Sequence, residues 1–235
     1  LADPKLAIVL SAAPLPPAFT VLRAGTSTIV FTGKTTPRAG SWGQFSAHAT
    51  LDFSALRTAG RYVIAVGAVR SAEFSLGQEV YADLPDQLLE FMRQQRCGYN
   101  PWLDAVCHAF DGRTAFGPLP AGTYLNASGG WHDAGDLLKY LLTSSNATAQ
   151  LLLAYQLGVT DATQAKRPAA AFQDQYNALG QPGANGLADV LDEARWGLDW
   201  LLKLHPAPEQ LYHQVADDRD HQGWRLPHQE TVDYG

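Results

Sequence analysis

The chain has 235 residues, 46% of them hydrophobic and 17% charged, with a formal net charge of −6 at pH 7. That length allows one large domain or two small ones, and the balance is that of a globular chain, not a disordered or fibrous one. The acidic surplus argues against nucleic acid and anionic membrane as partners, and no apolar run reaches the roughly 20 residues of a membrane span.

The N-terminus, Leu1-Ala2-Asp3-Pro4-Lys5, has no basic stretch followed by an apolar core, a picture that a cleaved signal peptide would also leave. Two cysteines do not make a disulfide framework. Six Trp and nine Tyr are enough to line a sugar-binding groove, though cores use them too.

Up to about Leu76 the chain reads as short strands: Leu6–Leu10, Thr20–Arg23, Ser27–Thr32, Phe45–Phe53, Arg61–Ala68 and Ser71–Leu76. Ala47, Ala49, Leu51 and Phe53 share one strand face, and His48, Thr50 and Asp52 the other. Pro14, Pro16, Pro17, Gly33, Pro37, Gly40, Gly43 and Gly60 mark the connections. This spacing, without cysteine or helical period, predicts an immunoglobulin-like β-sandwich over residues 1–79. No catalytic residues cluster in it, and His48 reads as a surface residue. A packing module is the expected role, ahead of a sugar-binding one.

At Tyr81-Ala82-Asp83-Leu84-Pro85 the period changes to that of helices. Leu84, Leu88, Phe91, Met92 and Gln95 form one stripe, and Asp83 and Pro85 suit its start. Residues 98–130 are irregular, and so long a loop needs a purpose or a clamp. Then comes Gly129-Gly130-Trp131-His132-Asp133-Ala134-Gly135-Asp136, two carboxylates three residues apart directly before an apolar-periodic run. The run predicts a helix over 136–157, with Asp136 at or near its N-cap, where the helix dipole favours an ionised carboxylate. Asp136 could be a cap and nothing more. The second Asp, the His, the Trp and three glycines in one turn favour a functional reading. A last helix is predicted over 187–205, with Leu187, Val190, Leu191, Ala194, Leu198, Leu201 and Leu202 inward. Asp192, Glu193, Arg195 and Asp199 read as its solvated face. Three long helices with broad apolar faces fit a piece of a larger helical domain.

Cys97, Cys107, His108 and His132 are the soft and borderline ligands nearest the aspartate turn. Two thiolates and two imidazoles make a closed, tetrahedral zinc site of structural type. By spacing alone a Cys97–Cys107 disulfide is equally open. His108 directly after Cys107, and His132 directly before Asp133, tip the balance to zinc, which would tie the irregular loop to the turn carrying the carboxylates.

The segment Gly129–Asp136 with Lys139-Tyr140 resembles the glycoside hydrolase family 9 signature. So do Arg96-Cys97-Gly98 with Val106-Cys107-His108, and the stretch Asn185–Trp196. The resemblance implies an (α/α)6 barrel that cleaves β-1,4-glucosidic bonds with inversion, here behind an immunoglobulin-like module. It implies Asp136 as catalytic base and Asp133 as the carboxylate that helps hold the attacking water. It also implies Cys97, Cys107, His108 and His132 as zinc ligands, and His221 and Trp224 as residues lining the sugar subsites. Trp224 could equally be a core residue, and His221 an ion-pair partner of its acidic neighbours.

In that family the general acid, a Glu, lies late in the catalytic domain, and the calcium sites lie mostly there too. Residues 80–235 correspond to the first half of such a barrel, so the acid is expected beyond Gly235; Glu230 does not match its motif. The remaining half of the domain is thus an expected partner. The expected substrate is cellulose, a related β-glucan or a cello-oligosaccharide. Exo-acting glucosidase or glucosaminidase action, or non-catalytic carbohydrate binding, are the alternatives. A secreted or periplasmic location is expected, or a cytoplasmic one for an oligosaccharide substrate.

Overall fold

A computed structural model describes residues 1–109, 111–162, 169–221 and 223–230. The chain divides into two compact units, Leu1–Tyr81 and Ala82–Gly235.

The first unit is all antiparallel: β1 (Leu6–Ser11), β2 (Ala18–Arg23), β3 (Ile29–Pro37), β4 (Ala47–Asp52), β5 (Gly60–Val66), β6 (Val69–Arg70) and β7 (Phe74–Leu76). β3 is the strand that joins two sheets. Its first part pairs with β2, and Thr35–Pro37 pair with β4, which in turn pairs with β1. β5 pairs with the other edge of β2 and carries β6 and β7. Alternation decides what is inside: Phe19 and Val21, Leu51 and Phe53, and Tyr62, Ile64 and Val66 are buried together with Leu56. Each such side chain contributes about 1.5–3 kcal/mol of transfer free energy. Gly33 sits opposite Phe19 in the ladder, and a Cβ there would lie 2.5 Å from the Phe19 ring. His48 is half-buried, not a surface residue, with the Trp42 ring edge-on at 5.8 Å.

The second unit contains α1 (Leu84–Gln94), a small hairpin of β8 (Gly98–Asn100) and β9 (Ala105–Cys107), β10 (Lys139–Tyr140), α2 (Leu141–Ala162), α3 (Asp189–Lys203) and β11 (Gln214–Val215), which pairs with β10. α2 packs on α3, and α1 also touches α3. α1 starts with Pro85 in its first turn, as its sequence indicates. Its inward face differs from the expected stripe. Leu84, Leu88 and Phe91 are exposed, whereas Leu89 and Arg93 are buried, because Arg93 lies over the Tyr176 ring and beside Asp189.

The helix expected from Asp136 begins at Leu141. Leu137 takes a left-handed φ of +66°, and Lys139-Tyr140 extend to pair with Val215 and Gln214, so no helix can pass through them. Leu137 and Leu138 fit the helical period by chance; they are buried anchors of a loop. Within α2, among the residues whose burial is described, Ser144 and Thr148 are buried, while Leu142, Leu152, Leu153 and Leu157 are exposed.

In α3 the inward positions are Asp189, Val190, Asp192, Glu193, Ala194, Gly197 and Trp200. Asp192 and Glu193 are therefore not solvated. Arg195 and Asp199 are, forming an exposed pair at 3.9 Å. Leu198 and Leu202, expected inside, are exposed. The helix turns its acidic edge inward because buried arginines from the α1 end wait there.

Candidate metal centre and aspartate loop

Residues 95–97 run antiparallel to 130–132. The Cys97 N–H donates to Gly130 O (2.9 Å), the His132 N–H donates to Gln95 O (2.9 Å), and Arg96 bridges Trp131. This pairing sets Cys97 beside His132. The β8–β9 hairpin, with Gly98 opposite Cys107, brings the second cysteine to the same place. His108 follows in a left-handed conformation, φ +49°, which turns its ring back onto the cluster.

One ligand atom from each of Cys97, Cys107, His108 and His132 lies within 4.8 Å of all the others. Both cysteines are free and buried, so no disulfide joins them. His132 Nε2 is 3.2 Å from His108 Nδ1 and 3.8 Å from Cys107 Sγ. Tetrahedral zinc with ordinary bond lengths separates two nitrogens by about 3.3 Å and a nitrogen from a sulfur by about 3.6 Å. The donor set and these two spacings therefore fit a four-ligand metal ion.

Lys139 is wholly buried beside this cluster. Its ammonium donates to Cys97 Sγ (3.0 Å), Ala127 O (2.7 Å) and Gly129 O (3.2 Å), and pairs with Asp111 at 2.9 Å. Burial opposes ionisation of Cys97. Hydrogen bonds from Cys107, His108 and His132 and the charge of Lys139 outweigh it, holding the Cys97 thiol well below its usual range. Cys107 is pushed up instead, by its bond to Cys97 and by burial.

From His132 the chain passes directly into the aspartate loop. The Asp133 N–H donates to Leu138 O at 2.8 Å and closes a tight loop over Ala134, Gly135, Asp136 and Leu137. Buried Leu137 and Leu138 hold the loop down. Asp133 is exposed, with Thr143 Oγ1 3.4 Å from its Oδ1. Asp136 is half-buried, and His221 Nε2 lies 3.4 Å from its Oδ2. The Trp224 ring, itself 90% exposed, lies flush against Gly135, where a Cβ would come within 2.0 Å of it. Asp136, His221 and Trp224, distant in sequence, thus converge on one loop.

Four contributors escape a sequence reading. Arg225 donates to Asp136 O (3.4 Å) and Asp220 O (3.3 Å) and pairs with the carboxylates of Asp220 and Glu230, fastening the 218–230 segment to the loop. Glu193 accepts from Arg96 and from Trp131 Nε1. Lys139 and Asp111 complete the surroundings of Cys97. The available signal was Lys139 itself, a lone cation between Leu138 and Tyr140, which reads as buried and paired. A separate cleft of about 530 Å³, lined by Arg113, Thr114, Phe116, Tyr212, Gln214 and Arg219 among others, contains none of the eight predicted site residues.

The profile of the family described as Glycosyl hydrolase family 9 matches residues 81–234, and that of the Cellulase N-terminal ig-like domain matches residues 1–71. Among curated relatives, a xyloglucan-specific endo-beta-1,4-glucanase of Bacteroides ovatus is 29% identical over 204 residues, covering 80% of this chain and 32% of the relative. Endoglucanase C of Cellulomonas fimi is 29% identical over 244 residues, covering 94% of this chain and 21% of the relative. The chain thus spans a third or less of these relatives. A metagenome-derived family 9 endoglucanase structure matches with TM-score 0.69 and 34% identity, covering 92% of this chain and 40% of that one. A Zn-binding triple mutant of the family 9 endoglucanase J30 matches with TM-score 0.74 and 28% identity, covering 98% and 43%. The chain belongs to glycosyl hydrolase family 9 and begins with that family's cellulase-type immunoglobulin-like domain.

Proposed function

We propose that this chain supplies the base-bearing part of an inverting β-1,4-glucan hydrolase, with residues 1–79 as its immunoglobulin-like module and 80–235 as the first half of an (α/α)6 barrel. The observation that carries the reading is the loop from Asp133 to Leu138, which presents two carboxylates beside His221 and Trp224. Asp136 acts as the base that takes a proton from the attacking water, and Asp133 helps hold that water. The helix dipole has no part in this, because the helix starts five residues later. What positions Asp136 is the closed loop, the Arg225 bond to its carbonyl and the His221 ring against one carboxylate oxygen. Trp224 offers an exposed aromatic face to a sugar ring, and His221 a polar edge to its hydroxyls.

Inversion requires a general acid about 6.5–9.5 Å from the base, leaving room for water. The remaining half of the barrel is the proposed source of that acid and of any calcium site, and the exposed leucines of α2 and α3 are the surface it would cover. Cys97, Cys107, His108 and His132 hold zinc. With four protein ligands the ion has no open position and serves structure, not the reaction. A polymeric glucan as substrate places the enzyme outside the cytoplasm; no helix among the described residues is long and apolar enough to cross a membrane.

The test uses the protein containing both halves of the barrel, assayed on soluble cello-oligosaccharides with the anomeric form of the new end followed by NMR. The expected result is an α-anomer first, and loss of at least a hundredfold in kcat for Asp136→Asn with folding retained. Unchanged hydrolysis would remove Asp136 from the mechanism.

A further inference from the structure

We propose that the aspartate loop is fastened to the metal cluster at both ends, and that Lys139 is the second fastening, a positioning residue that acts through Cys97. The inference rests on the reading of the four-residue cluster as a zinc site. The first fastening is covalent in sequence: His132, a ligand, immediately precedes Asp133. The second is spatial. Lys139 immediately follows Leu138, whose carbonyl closes the loop, and its ammonium reaches Cys97 Sγ at 3.0 Å. Both flanks of the six residues from Asp133 to Leu138 therefore end on the same cluster.

The charges explain why a lysine does this. A zinc ion with two thiolates and two neutral imidazoles carries no net charge, and Lys139 with Asp111 at 2.9 Å adds none. With all of these groups in place the buried assembly is neutral, and a buried charge without its partner is strongly disfavoured. The ammonium is also saturated by shape: besides Cys97 and Asp111 it meets the carbonyls of Ala127 and Gly129. A sulfur that carries negative charge accepts a far better hydrogen bond from an ammonium than a neutral thiol does. The hold of Lys139 on Cys97 thus depends on the cysteine's being a thiolate, the form a zinc ligand must take, and the ion holds both ends of the loop together.

Two consequences separate this from a cluster that merely staples the long irregular loop. Outer groups that hydrogen-bond a metal ligand typically change metal affinity by 10–100-fold when removed. Lys139→Gln, which keeps an N–H donor on a side chain one atom shorter and drops the charge, is therefore expected to weaken zinc binding by about tenfold or more, measured by chelator competition. A shift of the thiolate-to-metal charge-transfer band of the cobalt-substituted protein should accompany it. In the unsubstituted full-length protein, needing no variant to fold, zinc removal is expected to speed amide exchange at Asp133 and at Leu141, whose N–H donates to His213 O at 2.9 Å, together.

Metal content of the native protein is measured first. Absence of zinc overturns both the metal reading and this inference. Zinc present, with affinity unchanged in Lys139→Gln, overturns this inference alone. So does exchange that speeds at Asp133 but not at Leu141 when the ion is withdrawn. None of these readouts depends on glucan hydrolysis.

Discussion

Arg96 places Nε and Nη2 on the two oxygens of Glu193, at 3.1 and 2.8 Å, with both side chains wholly buried. The same carboxylate accepts from Trp131 Nε1 at 2.8 Å and lies 3.8 Å from Arg93 Nε. Arg96 precedes Cys97 and Trp131 precedes His132, so one carboxylate on α3 sets the backbone on which two of the four ligands sit. Glu193→Gln keeps the shape but leaves two guanidinium groups short of their counter-charge. Removing one partner of a buried pair costs about 3–5 kcal/mol, and that loss is expected in denaturant unfolding, with weaker metal retention. Arg195→Ala, which breaks the exposed pair with Asp199 on the same helix, is expected to change stability by about 0.5 kcal/mol or less.

Gly135 lets the Trp224 ring lie on the backbone between the two aspartates. Its φ is not left-handed, so alanine fits the backbone, yet a Cβ would stand 2.0 Å from the ring. Because Trp224 is 90% exposed, the ring can swing away at little cost in stability. Gly135→Ala is expected to leave the unfolding midpoint nearly unchanged, to alter tryptophan fluorescence, and to raise KM for cello-oligosaccharides several-fold. An unchanged KM together with a changed emission would show that Trp224 does not contact sugar.

The parts legible in the sequence are those governed by a short period or by adjacency. Ala49, Leu51 and Phe53 alternate inward as their spacing requires, and Cys107-His108 and His132-Asp133 announce the cluster by being neighbours. The start of α2 misleads because Leu137 and Leu138 satisfy a helical period while serving as loop anchors. A period records which residues are apolar, not which backbone they sit on. Glu193 misleads for another reason. A carboxylate on an amphipathic helix reads as solvated unless its counter-ion is known, and Arg96 lies 97 residues away. Arg225 likewise draws its meaning from Asp136, 89 residues earlier.

Withdrawal of the metal gives a direct count. A strong chelator is expected to release one zinc per chain and to expose two titratable thiols, Cys97 and Cys107, with a lower thermal midpoint for the Ala82–Gly235 unit. Fewer than two thiols after denaturation would point to a disulfide in place of the metal.

Asp192 provides a pH-dependent test of α3. Burial raises its pKa, with the negative charges of Asp189 and Asp174 adding to it, and the Asn185 bond to its Oδ2 and the charge of Arg96 opposing. Its Oδ1 is buried without a hydrogen-bond partner among the described residues. A carboxyl whose folded pKa exceeds its unfolded value binds its proton more tightly when folded. Its ionisation therefore lowers stability as pH rises from the unfolded pKa, about 3.8, through the raised folded value, and the penalty stays in full above that. Asp192→Asn removes the penalty while keeping an oxygen for Asn185. The stability of the variant minus that of the parent, from denaturant unfolding at matched metal occupancy, is expected to grow as pH climbs from about 3.5 to 7. Other titrating groups, the ligands included, are common to both proteins and cancel in that difference. A difference that stays flat, or falls, would mean that Asp192 ionises as freely in the fold as in the unfolded chain.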